Sequence, residues 1–191
     1  MYINTEETGG SINEDIVSSI KRAGDMITAI IDSVSVTVNK LVKETGKTGE
    51  ALVESLQHII TATIRGVIET GTNLEDGVKA LSMGILKEFR SEEQETFSSI
   101  SALSGAVMKS ASDTGADVAI VARGLISGVI HSSKELGIDP DKAALAAASG
   151  AVKEAYKINR NTGSKVKKAV TGDFDGIKVR PKESFSDTKE A

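Results

Sequence analysis

The chain has 191 residues, 39% of them apolar, with 18 Gly, two Tyr, four Phe, no Trp, no Cys and a formal net charge of −4. The missing Cys excludes a disulfide framework, thiolate metal ligands and a cysteine nucleophile, and fits a reducing, cytoplasmic setting. The apolar content is too high for a wholly disordered chain, the length suits one domain or a pair of small ones, and so few aromatics leave an aliphatic core without large aromatic binding platforms.

Met1 to Asp15 carries Glu6, Glu7, Glu14 and Asp15 in place of the basic start and apolar run of a secretory signal. Residues 1–12 read as an N-terminal tail. From Ile16 to Leu41 the apolar positions Ile16, Ile20, Ala23, Ile27, Ile30, Val34 and Leu41 step by threes and fours, which predicts one amphipathic helix. Within it, Val34-Ser35-Val36-Thr37-Val38 alternates like a half-buried strand, a minority signal inside helical spacing. Further stripes run Leu52 to Val67, Leu74 to Phe89, Phe97 to Ala111, Val118 to Leu136 and Ala143 to Ile158. The expectation is an all-α protein of roughly six helices, as an antiparallel bundle or as stacked helical hairpins. The most apolar windows, 118–130 and 143–152, are well short of the roughly 20 residues a spanning helix needs, so no transmembrane segment is expected.

Thr-Gly pairs at 45–46, 48–49, 70–71, 114–115 and 162–163 stand beside breaks in the stripes, where Gly supplies the left-handed residue after a helix. The clearest boundary is Gly137-Ile138-Asp139-Pro140-Asp141: Gly stops one helix, Asp139 caps the next and Pro140 occupies its first turn. From residue 173 to 191, few apolar residues and mixed charge read as an irregular tail, which leaves 13–172 as the helical domain.

Gly66, Gly84, Gly105, Gly124, Gly128 and Gly150 fall inside the stripes, where each costs about 0.5–1 kcal/mol relative to Ala. Most have a small residue four positions earlier: Ala62, Ala80, Ser101, Gly124 and Ala146 precede Gly66, Gly84, Gly105, Gly128 and Gly150. That spacing lets two helix backbones approach closely, so the six glycines are candidate helix-interface residues, within one chain or between copies. An echo between 64–90 and 126–156, spaced by roughly 62 to 66 residues, suggests duplication of a helical hairpin.

Charge is uneven, with a net of −8 over residues 1–150 and +4 over 151–191. Lys153, Lys157, Arg160, Lys165, Lys167 and Lys168 concentrate the positive part and are candidates for contact with an anionic surface. Nucleic acid is a poor fit, since aromatics are not interleaved and the overall balance is acidic.

Motifs for chemistry are thin. Gly46-Lys47-Thr48 matches the end of a phosphate-binding loop, but Leu41 stands where the pattern needs its first Gly. His58 has Glu54 and His131 has Glu135 at helical spacing, without the further ligands of a carboxylate-bridged metal pair. No G-x-S-x-G elbow occurs, and Glu92, Glu93 and Glu95 suit the dipole of a helix start. No catalytic residue, cofactor or metal is expected.

The stretch Glu135-Leu136-Gly137-Ile138-Asp139-Pro140-Asp141-Lys142-Ala143-Ala144, continuing through Ala148-Ser149-Gly150-Ala151-Val152-Lys153-Glu154-Ala155, resembles the repeated unit of an uncharacterised family of small bacterial helical proteins. That resemblance covers about a quarter of the chain and implies an all-helical bacterial protein without an active site to carry over. In its amphipathic helices and absent Cys the chain is also similar to granule-coating phasins. The expectation is a non-enzymatic structural or scaffold protein that self-associates as a homo-oligomer through aliphatic and Gly/Ala faces. The alternative is a peripheral coat on a lipid or granule surface.

Overall fold

In the computed structural model, which describes residues 25–47, 49–88 and 93–181, Asp25 opens the first helix: its carboxylate accepts hydrogen bonds from the Ile27 and Thr28 amides at 3.1 and 3.2 Å. Helix α1 (Met26–Thr45) follows, so the stripe expected from Ile16 is capped anew at Asp25, and its earlier part lies outside the described residues. Val34 and Val38 are buried on one face of α1 while Val36 is 69% exposed. Packing of that face overrides the strand-like alternation. The stripe from Leu52 to Val67 divides at Leu56 into α2 (Gly49–Ser55) and α3 (Gln57–Thr70). Then come α4 (Leu74–Leu86), α5 (Glu93–Thr114), α6 (Val118–Leu136), α7 (Pro140–Ile158) and α8 (Arg160–Val170). The described residues thus form eight helices where about six were expected.

Most boundaries follow the expected chemistry. Gly46, Gly71, Gly115 and Gly137 have φ between 63° and 72° at the helix ends. Asp139 accepts from the Asp141 and Lys142 amides at 3.0 and 3.1 Å. Gly163 is different: it lies buried inside α8 against the ring of Tyr156, and the break falls at Asn159, which caps α8 through the Thr162 amide at 2.8 Å.

The helices form two layers. Helices α1, α4, α6 and α8 pack in that order in one; α2 with α3, then α5, then α7, make the other. Neighbours within a layer run parallel, because their partners advance together: Gln57 meets Ala106 and Thr61 meets Ser110, both 49 residues apart. Glu75 lies against Gly124 and Lys79 against Gly128, Ser101 against Gly150, and Asn39 bonds Glu88, again 49 residues on. Consecutive helices α3–α4, α5–α6 and α7–α8 are therefore hairpins stacked with a step of about 49 residues, the architecture of an α-solenoid. The stacked-hairpin form of the all-α expectation holds. The spacing of 62 to 66 does not describe it, since Gly84 and Gly150, matched by that echo, lie in different layers.

The core is aliphatic and continuous between the layers, with Ile30, Leu56, Ile60, Leu81, Ile85 and Leu103 fully buried among others. A second correction concerns the tail. Residues 172–179 form an antiparallel hairpin, β1 (Gly172–Phe174) and β2 (Ile177–Val179), with Phe174 paired to Ile177. Its loop is Asp175-Gly176, with φ of 51° and 85°, the positive values a two-residue turn of this kind requires. Phe174, Ile177 and Val179 are buried, β1 against α6 and β2 against α7. Arg123 of α6 lies 5.7 Å from the Phe174 ring centroid. Residues 1–24 and 182–191 lie outside the described part.

Candidate functional site

The six interior glycines were candidates for interfaces within or between chains. A Cβ at Gly84 would lie 2.8 Å from the Ile31 carbonyl oxygen of α1. One at Gly128 would lie 2.6 Å from that of Lys79 on α4. At Gly124 and Gly150 it would run into the Glu75 and Ser101 carbonyls. These four glycines therefore set close approaches inside one chain: α1–α4, α4–α6 and α5–α7. Gly66 is buried in α3, where its carbonyl accepts the Thr70 hydroxyl at 2.7 Å.

Gly105 is the exception. The nearest atom to a Cβ there is the Glu154 Cβ at 3.7 Å, an ordinary contact. It lies in an open groove of about 380 Å³ between α5 and α7, near the Gly150 crossing. Lys109, Lys153, Lys157 and Glu154 line its sides together with Ser98 and Ser101. Parallel stacking thus brings two of the candidate glycines and two of the candidate basic residues to one place. Lys109 joins them from α5; nothing in the sequence marks it, since it stands far from the basic run.

The remaining basic residues spread along α8. Its apolar side, Val166 and Val170, is buried, and so the helix turns charge outward. Lys157 pairs with Glu154 at 2.7 Å, and Lys165 reaches Asp117 on α6 at 3.0 Å. Arg160 and Lys167 also have partners, and Lys153 and Lys168 are exposed.

Asp117 caps α6, accepting from the Ala119 amide at 2.9 Å, and the Lys165 hydrogen bond holds its carboxyl below the ordinary aspartate value, with the cap amides adding to the effect. Asp25 is lowered chiefly by the Thr28 amide and hydroxyl, and Asp139 chiefly by the Lys142 amide. The shifts at Asp25 and Asp139 are thus capping shifts at helix starts, whereas that at Asp117 comes first from Lys165.

Gly46-Lys47 forms the turn between α1 and α2, where Gly46 has φ 63° and Lys47 donates to the Ser55 hydroxyl at 2.9 Å. His131 lies 3.3 Å from Glu135 on the surface of α6. Among the described residues no group of three His, Asp or Glu converges as a metal would require, and no helix is long and apolar enough to cross a membrane. No family model matches the chain, and a search of curated proteins returns no match.

Proposed function

We propose that the chain is a non-enzymatic helical scaffold that self-associates, and that the outer side of α1 is where a second copy docks. Four of the glycines close helices within the chain, so the aliphatic surface at the end of the described stack carries this reading. A stack of hairpins needs a polar outer face on its terminal helix to stay monomeric. Among the described residues helix α1 packs chiefly on α4 and also on α3, with Val36 69% exposed and Ile27, Ile31, Leu41 and Val42 half-buried at the edge of the core. Size-exclusion chromatography with light scattering tests the proposal. The expected result is a homo-oligomer that Val36→Lys shifts toward the monomer; a single 20.0 kDa species at high concentration removes the idea.

A second reading, a peripheral coat on an anionic lipid or granule surface, is favoured by the outward charge at the opposite end of the stack. Because Val166 and Val170 face inward, that contact is electrostatic and not an insertion of apolar residues. Flotation with phosphatidylglycerol vesicles at low salt then recovers the protein, and 0.5 M salt, roughly a 4 Å screening length, releases it. No co-flotation at low salt removes this reading.

A further inference from the structure

Gly105 occupies the middle of α5, where glycine destabilises a helix relative to alanine. The glycines at 84, 124, 128 and 150 offset that cost by admitting a neighbouring backbone, whereas a Cβ at Gly105 would meet only ordinary contacts. One step of the stack earlier, 49 residues back, the matching position in the chain is Leu56, which is fully buried. Gly105 therefore does not admit a backbone; the side chain of Glu154 lies over it, with Cβ, Oε2 and Cγ between 3.7 and 3.9 Å from a Cβ placed there.

The open groove is electrostatically one-sided. Lys109, Lys153 and Lys157 bring three ammonium groups to it against the single carboxylate of Glu154. Glu154 is engaged by Lys157 at 2.7 Å, while Lys109 and Lys153 have no hydrogen-bond or ion-pair partner among the described residues. Two such lysines beside a small-residue floor suit a compact dianion that spreads its charge over several oxygens.

We propose that the α5–α7 groove binds a phosphate-bearing ligand, with a terminal phosphate held between Lys109 and Lys153. Self-association is not required for this site. The groove and the coat reading are separated by Lys109, which lies outside the basic run on α7 and α8.

The test is calorimetric titration with inorganic pyrophosphate at low salt, with a parallel arm using vesicles that contain phosphatidic acid. Saturable binding of one pyrophosphate per chain is expected. Lys109→Gln and Lys153→Gln should each weaken it about fivefold, the scale of an exposed ion pair. Glu154→Gln, which removes the groove's carboxylate and releases Lys157, should tighten it by a similar factor. Gly105→Leu fills the furrow and should abolish binding; since a leucine there can also displace α7, the lysine variants carry the test independently. Lys178→Gln, on β2 and outside the groove, should change nothing. Binding to phosphatidic acid vesicles without binding to pyrophosphate, and lost in Lys109→Gln, assigns the same phosphate chemistry to a lipid headgroup. Absence of binding in both arms overturns the proposal, and so does a loss in Lys178→Gln equal to that in Lys109→Gln.

Discussion

The two seams on either side of α5 join helices of the same layer with the same 49-residue step, yet they are built by different means. Between α3 and α5, side chains do the joining. Leu56 is fully buried, and Gln57 donates to the Ser110 hydroxyl at 2.6 Å, which also shares a hydrogen bond with Thr61 at 2.9 Å. Between α5 and α7 the backbones meet at Gly150 and Ser101, and beyond that crossing the seam opens at Gly105. A stacking step is thus a property of backbone geometry, which either bulky side chains or their absence can satisfy. Where neither is used, the fold leaves a groove.

The sharpest way to break the comparison is to empty the filled seam. Leu56→Ala removes a fully buried side chain at the junction of α2 and α3, both of which pack on α5, and should cost roughly 2–5 kcal/mol in urea denaturation. A loss below about 1 kcal/mol would place Leu56 outside the core of that seam. Gly150→Val makes the opposite intrusion, since its Cβ would press on the Ser101 carbonyl. Overpacking of this kind costs about 1–3 kcal/mol. If the midpoint of unfolding did not move, the close approach of α5 and α7 at Gly150 would be wrong.

How much of this could be read from the residues differs between the two seams. The all-α class, the end of the helix at Gly137 and the cap at Asp139 follow from local chemistry that acts within a few residues, and they appear where expected. The tight crossings were legible too, because Gly84, Gly128 and Gly150 each follow a small residue by one helical turn. The stacking step was not: Leu56, Gly105 and Glu154 stand 49 residues apart and share no residue type, and the identities at that spacing, such as Ala102 with Ala151 and Ala106 with Ala155, are small residues common throughout the chain. Instead the spacing of 62 to 66 matched glycines from different layers. The groove was half legible, through Gly105, Gly150, Lys153 and Lys157, but Lys109 enters it only through the parallel alignment of α5 with α7. The hairpin did carry a signal. Phe174-Asp175-Gly176-Ile177 is a two-residue turn flanked by apolar residues, which composition averaged over 173–191 conceals.

In the other layer, the seam between α6 and α8 adds a polar tether to its packing, from Lys165 to Asp117. Asp117→Ala removes both the α6 cap and that tether and should cost about 1 kcal/mol at neutral pH. The sign with pH follows from the lowered carboxyl. Its folded value lies below its unfolded one, so its contribution is complete above about pH 4 and fades as pH falls through the folded value. The difference between wild type and Asp117→Ala should therefore shrink in acid. A gap that widened below pH 4 would mean that the carboxylate does not draw its stabilisation from these partners.

Gly105→Ala has the smallest effect and the most informative sign. At a tight crossing, an added methyl group must push a backbone aside, and stability falls. At Gly105 the methyl has room, with its nearest neighbour at 3.7 Å, and the helix gains about 0.5–1 kcal/mol from the lower conformational entropy of the unfolded chain. A rise in the urea midpoint for Gly105→Ala beside a fall for Gly150→Val would separate a glycine that closes a seam from one that keeps it open. A fall for both would mean that α5 and α7 meet along their whole length, and that the groove closes in solution.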